Sequence, residues 1–92
     1  WKPFIIDCRT EKEFEIAKLN NVNLLIEHTR INSVIDKIPK DKDLLIYCHH
    51  GSRSMYTLSY LFNQGFKAKN LFNLAGGIDS WSLNIDSSIR RY

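Results

Sequence analysis

Short apolar runs and helical stripes alternate along the chain. Phe4-Ile5-Ile6 is a continuous apolar run of the kind that a doubly covered parallel strand presents. Thr10-Glu11-Lys12-Glu13 has the form of a capping box, with Thr10 as N-cap and Glu13 reaching back, and predicts a short helix to about Ile16. Val22 to Ile26 predicts a second strand. Ile31, Val34, Ile35 and Ile38 fall at i, i+3, i+4 and i+7, one face of a helix. Pro39 and the alternating charges Lys40-Asp41-Lys42-Asp43 make a solvated turn. Leu44-Leu45-Ile46-Tyr47 is the clearest strand, and it stops at Cys48. A loop, His49-His50-Gly51-Ser52, leads through Arg53-Ser54 into a helix to about Asn63. That helix is expected to bury Met55, Leu58, Leu61 and Phe62, with Gly65 as its C-cap. Asn70 to Leu74 predicts the last strand, followed by Gly76-Gly77 and a short helix whose Trp81 joins the core. The alternation predicts an α/β domain: a mainly parallel sheet of about four to five strands with helices on both faces.

The chain has 92 residues, which fits one domain spanning 1–92. Apolar residues are 43% and charged residues 25%, as in an ordinary globular domain, which excludes a collagen, a disordered tail or a disulfide scaffold. No apolar run approaches the ~20 residues that span a bilayer, so no membrane association is expected. Trp1-Lys2-Pro3 does not open a signal-peptide pattern. Cys8 and Cys48 are the only cysteines, too few for a stapled secreted fold, and the expected compartment is reducing and cytoplasmic. The net charge of +3 is mild, but its distribution is uneven. From Leu44 to Ile78 there is no Asp or Glu, only Arg53, Lys67, Lys69 and two histidines. That stretch presents positive potential to an anionic ligand. Three Lys/Arg without a recognisable motif do not make a nucleic-acid surface.

In an open parallel sheet, ligands bind beyond the carboxyl ends of the strands. Cys48 stands at such an end, and the N-terminus of the next helix points back at it. Free backbone N–H groups and the helix dipole there favour an anion, a thiolate included. Helix N-termini and nearby cations lower a cysteine pKa from ~8.5 to roughly 3.5–7.5. His49, His50 and Arg53 are the cations at hand, and the Arg53 fork suits bidentate contact with an oxyanion. Cys48 is therefore the candidate nucleophile, in a loop too polar for a merely buried cysteine. His49 and His50 either assist it or are solvated loop residues. A zinc site from Cys48, His49 and His50 is disfavoured, because adjacent ligands do not readily share one tetrahedral metal. Cys8 is expected to pack in the core, with a resolving thiol for Cys48 as the alternative. Asp7 and Arg9 are expected to form a structural ion pair beside the site, the alternative being contact with substrate. Gly76-Gly77 is expected to permit a tight turn or a close backbone approach near the site.

These residues resemble a known family. Asp7-Cys8-Arg9 with Glu13-Phe14 resembles the D-x-R…E-F signature of the rhodanese family. Ile46 to Ser54, centred on Cys48, resembles its active-site loop. Gly65-Phe66, then Asn73-Leu74-Ala75-Gly76-Gly77-Ile78 and Trp81, resemble its ending. The resemblance covers nearly the whole chain and is strongest to stand-alone bacterial rhodaneses and to the C-terminal rhodanese domains of sulfur-carrier-activating enzymes. It implies a rhodanese-like fold and a sulfurtransferase that uses neither metal nor organic cofactor. Cys48 would take a sulfane sulfur from a small anionic donor such as thiosulfate and hold it as a persulfide. The loop His49, His50, Gly51, Ser52, Arg53 and Ser54 would cradle the outer sulfur. Cyanide, a thiol or a sulfur-carrier protein would accept it. The family's usual Gly-His-Ile-Pro-Gly-Ala run is replaced here by Ala17-Lys18-Leu19-Asn20-Asn21-Val22. The family's extra N-terminal strand and helix are not seen, as in a shortened domain or the tail of a longer protein.

Two other functions fit parts of the pattern. A docking module would keep the fold without the chemistry. A phosphatase or arsenate reductase shares the Cys-loop-Arg logic, but usually places five residues between Cys and Arg where this chain has four.

Overall fold

The computed structural model describes residues 1–92. Its elements are β1 (Phe4–Asp7), α1 (Glu11–Ile16), β2 (Leu24–Leu25), a 3-10 segment (His28–Lys37), β3 (Leu44–Tyr47), α2 (Ser52–Asn63), β4 (Leu71–Asn73) and α3 (Gly77–Asn84). The four strands form one parallel sheet in the order β2-β1-β3-β4. β1 and β3 are its centre, in register from Phe4↔Leu44 to Asp7↔Tyr47.

Side chains alternate across the sheet, so each strand feeds two cores. Ile6, Cys8, Leu44, Ile46, Cys48 and Leu71 face one side, where Ile31 of the 3-10 segment, Ile38 at its end, and Leu61 and Phe66 cover them. Ala17, Leu19, Tyr47 and Ile78 make the other, smaller core, with Ile5, Val22, Leu74 and Trp81 at its margin. Both faces are therefore covered, as the continuous apolar strands required.

The Thr10 capping box forms: Thr10 Oγ1 accepts from the Glu13 amide at 3.3 Å, and Glu13 Oε1 accepts from the Thr10 amide at 3.3 Å. At the end of α2, Gly65 takes φ +97°, its amide donates to Phe62 O, and the Phe66 amide donates to Leu61 O. That is a Schellman closure, with Phe66 carried into the core.

Two expectations are corrected. Ile31, Val34, Ile35 and Ile38 do reach the core, but from a 3-10 segment in place of an α-helix. At three residues per turn, Ile31 aligns with Val34 and Ile35 with Ile38. In α2, Leu61 is buried and Leu58 half-buried, whereas Met55 and Phe62 are 46% and 54% exposed. The stripe that faces the sheet is Ser54, Thr57 and Leu61. Ser54 is the small, buried member of the first turn, where its amide comes within 3.4 Å of the Cys48 sulfur.

Candidate active site

Cys48 is the first residue beyond β3, and its Sγ is the hub of the loop. It accepts from the Gly51 amide at 3.0 Å and the Ser54 amide at 3.4 Å, and it contacts the Ser54 hydroxyl at 3.4 Å. Gly51 is the N-cap residue of α2 and holds φ +112°, a left-handed conformation that turns its amide onto the sulfur. The Ser54 hydroxyl is itself held by Gly51 O at 3.0 Å and by the Asn73 side chain of β4. The helix dipole and two amides thus converge on one atom, a ready cradle for negative charge. The Cys8 thiol beside it, then the Ser54 hydroxyl and the Ser54 and Gly51 amides, bring the Cys48 pKa down to about 4 against the opposing effect of burial. The shift is toward the thiolate.

The loop is locked from the far side by α3. The Ile78 amide donates to Cys48 O at 2.9 Å and the Asp79 amide to His49 O at 3.1 Å. Gly77 (φ +65°) lies so close that a Cβ there would collide with both carbonyls. Gly77→Ala is expected to cost about 1–3 kcal/mol of backbone strain and to displace the loop. A thermal melt together with the iodoacetamide reaction rate of Cys48 would record both effects.

Arg53 is placed differently from its sequence expectation. Its guanidinium forms a bidentate pair with Glu13, at 2.6 and 2.9 Å, and is not an open clamp for an oxyanion. Glu13 also accepts from the Tyr92 hydroxyl at 2.7 Å. Sequence reasoning read Glu13 as a helix cap and a family marker and missed this second role. The signal was present, since an acid in the first turn of α1 has spare acceptor capacity beyond the cap. Arg53 chiefly, helped by the Tyr92 hydroxyl, lowers the Glu13 pKa to about 2 against burial. The pair's contribution is thus complete above the ordinary carboxylate range and lost as pH falls through about 2. Glu13→Gln is expected to lower the melting temperature by a few degrees at pH 6. The difference from wild type should narrow to a small remainder on acidification, checked by melts at pH 6 and pH 2.5.

Asp7 and Arg9 form the structural pair, and both are fully buried. Arg9 donates to Asp7 through Nε at 2.9 Å and Nη2 at 2.7 Å, to Ala17 O at 2.7 Å and to Tyr92 Oη at 2.8 Å. Tyr47 Oη donates to Asp7 Oδ2 at 2.7 Å and accepts from the Leu19 amide. The Ala17–Val22 run, which departs from the family pattern, therefore docks through its backbone on this network. Asp7–Arg9 and Glu13–Arg53 are joined through the Tyr92 hydroxyl.

His49 stacks on Tyr92, with ring centroids 3.9 Å apart and planes at 8°. Burial, then His50, pushes the His49 pKa down, so the ring favours its neutral form. His50 Nε2 lies 3.6 Å from Asp79, whose carboxylate is also held by Arg91 at 2.9 Å. Neither histidine touches Cys48 through a hydrogen bond. Ligand atoms of His49, His50 and Asp79 lie within 4.8 Å of one another, with Arg91 already on the Asp79 carboxylate. Ser52 is exposed in the first turn of α2.

Comparison with known proteins agrees with this layout. Residues 1–84 match the rhodanese-like domain. Thiosulfate sulfurtransferase GlpE from Coxiella burnetii is 30% identical over 84 residues, covering 91% of this chain and 76% of that protein. A chloroplastic rhodanese-like/PpiC domain-containing protein from Arabidopsis thaliana is 35% identical over 91 residues, and the match spans 96% of this chain but only 30% of that protein. The crystal structure of a rhodanese-like domain protein from Staphylococcus aureus superposes with a TM-score of 0.80 at 25% identity, covering all of this chain and 83% of that one. With two amides converging on the Cys48 sulfur at the end of β3 and a family match over nearly its whole length, the chain belongs to the rhodanese-like domain family.

Proposed function

We propose that this domain is a sulfurtransferase that carries sulfane sulfur as a persulfide on Cys48. The observation that carries the reading is the pair of amides, Gly51 and Ser54, aimed at the Cys48 sulfur from the start of α2. Membership of a family with sulfurtransferase-named relatives supports it.

The Cys48 thiolate attacks the outer sulfur of thiosulfate. A bond forms between Sγ and that sulfur, the sulfur–sulfur bond of the donor breaks, and sulfite leaves with the electron pair. The amides that held the thiolate then face the persulfide anion. In the second step cyanide, a thiol or the thiol of a sulfur-carrier protein attacks the outer sulfur, and Cys48 leaves as a thiolate, favoured by its lowered pKa. Cys48 is 1% exposed, so the cradle suits the end of a slender donor better than a bulky phosphate ester. The bidentate Glu13 contact also withholds Arg53 from a phosphoryl group. We place the domain in a reducing, cytoplasmic setting that keeps both thiols free.

The test is thiocyanate formation from thiosulfate and cyanide. Parallel double-reciprocal plots, the mark of a covalent intermediate, are expected. No thiocyanate with thiosulfate or an organic thiosulfonate, together with Cys48-dependent hydrolysis of an aryl phosphate, would overturn the reading in favour of a phosphatase.

A further inference from the structure

Cys8 is a buried thiol that the two transfer steps do not use. It continues β1 by one residue, as Cys48 continues β3. The register runs Asp7↔Tyr47, and the next step of the ladder is the Cys8 amide donating to Tyr47 O at 3.0 Å. Cys8 and Cys48 therefore stand side by side on neighbouring strands. Both face the same core as Ile6 and Ile46, at 0% and 1% exposure. Adjacent strands are ~4.8 Å apart, inside the ~4.4–6.8 Å range of Cα separations that a disulfide spans. The Cys8 thiol now rests on Tyr47 O at 3.2 Å.

We infer that Cys8 is a resolving thiol that discharges the Cys48 persulfide inside the domain, releasing hydrosulfide and leaving a Cys8–Cys48 disulfide. This rests on the persulfide chemistry proposed above. The Cys8 sulfur attacks Cys48 Sγ, forming the Cys8–Cys48 bond as the bond from Sγ to the outer sulfur breaks. The Cys8 proton goes to the departing sulfur, which leaves as hydrosulfide carrying the charge of the persulfide anion. Two cysteine sulfurs are oxidised and the sulfane sulfur is reduced, so no further oxidant is needed. A dithiol, small or protein-borne, then reduces the disulfide and returns both thiols.

The two thiols also have opposed acidities. Cys48 and then burial hold the Cys8 pKa well above the usual thiol range, so Cys8 keeps its proton until the cycle uses it. The domain would then convert thiosulfate to sulfite and sulfide at the expense of a dithiol, with cyanide as an alternative acceptor.

The experiment is strictly anaerobic loading with one equivalent of thiosulfate and no acceptor, followed by intact mass and trapped sulfide over time. Wild type and Cys8→Ser are compared, serine keeping a donor beside Cys48 without a sulfur. Wild type is expected to pass from a gain of about 32 Da to a loss of about 2 Da, with about one equivalent of sulfide and a disulfide-linked Cys8–Cys48 peptide. Cys8→Ser should hold the added sulfur at least about 10-fold longer. If the serine variant does not fold, the lighter mass, sulfide and linked peptide from wild type alone support the inference. A wild-type adduct as long-lived as that of Cys8→Ser, or one lost with both thiols still alkylatable, overturns it and leaves the sulfurtransferase reading intact. No sulfur taken up by either protein and no sulfide released overturns the reading beneath it as well.

Discussion

Arg9→Met is expected to destabilise the domain by about 3–5 kcal/mol, the usual penalty when one partner of a buried ion pair is removed. Arg9 is fully buried, and it binds the equally buried Asp7 through two nitrogens. Methionine fills much of the same volume but leaves the Asp7 carboxylate in the core with only the Tyr47 hydroxyl and the Arg9 position's amide as donors. The Ala17 carbonyl and the Tyr92 hydroxyl lose their donor at the same time. Domains of this size have only about 5–15 kcal/mol in hand, so most of the margin goes. At roughly 4–8 °C per kcal/mol, the melting temperature should fall by about 12 °C or more. Calorimetry of the two proteins would show it. The double variant Asp7→Leu/Arg9→Met should recover part of the loss, because no unpaired charge remains.

Cys48→Ser should cut thiocyanate formation by on the order of 10³-fold or more, to the uncatalysed background. A serine hydroxyl has no accessible anionic form at neutral pH and cannot store a sulfane sulfur. The Gly51 and Ser54 amides, arranged around a thiolate held near pKa 4, would face a neutral oxygen. Serine is slightly smaller than cysteine and can keep the bond from Gly51. The melting temperature should therefore move by only a few degrees, separating lost chemistry from lost structure. Activity in the variant within tenfold of wild type would remove Cys48 from the centre of the mechanism.

Much of the fold was legible because its signals are local. The run Leu44–Tyr47 and the capping box at Thr10 each specify an element from a few consecutive residues. The strand–loop–helix turn that carries Cys48 was legible for the same reason: strand end, polar loop and helix start are contiguous from Tyr47 to Ser54. What periodicity misplaced was set by tertiary packing. Met55 and Phe62 lie on a plausible apolar stripe, but Ser54, Thr57 and Leu61 face the sheet, the end of that face being set by the contact of Ser54 with Cys48. The 3-10 form of His28–Lys37 was likewise invisible, since apolar spacing alone does not separate the tighter helix from the α-helix. Least legible was the polar network beside the site. Arg9 meets Tyr92 across 83 positions and Glu13 meets Arg53 across 40, contacts that no local pattern encodes. Arg53 illustrates the result: its charge and place were read correctly, but the partner of its fork was not.

The most direct test of the central claim is the sulfite burst on mixing the protein with thiosulfate in the absence of any acceptor. Sulfite leaves in the step that loads Cys48, so its amount does not depend on what later becomes of the bound sulfur. The account predicts a rapid release of about one equivalent of sulfite per chain from wild type, and none from Cys48→Ser. No burst from wild type, or an equal burst from the serine variant, would contradict it.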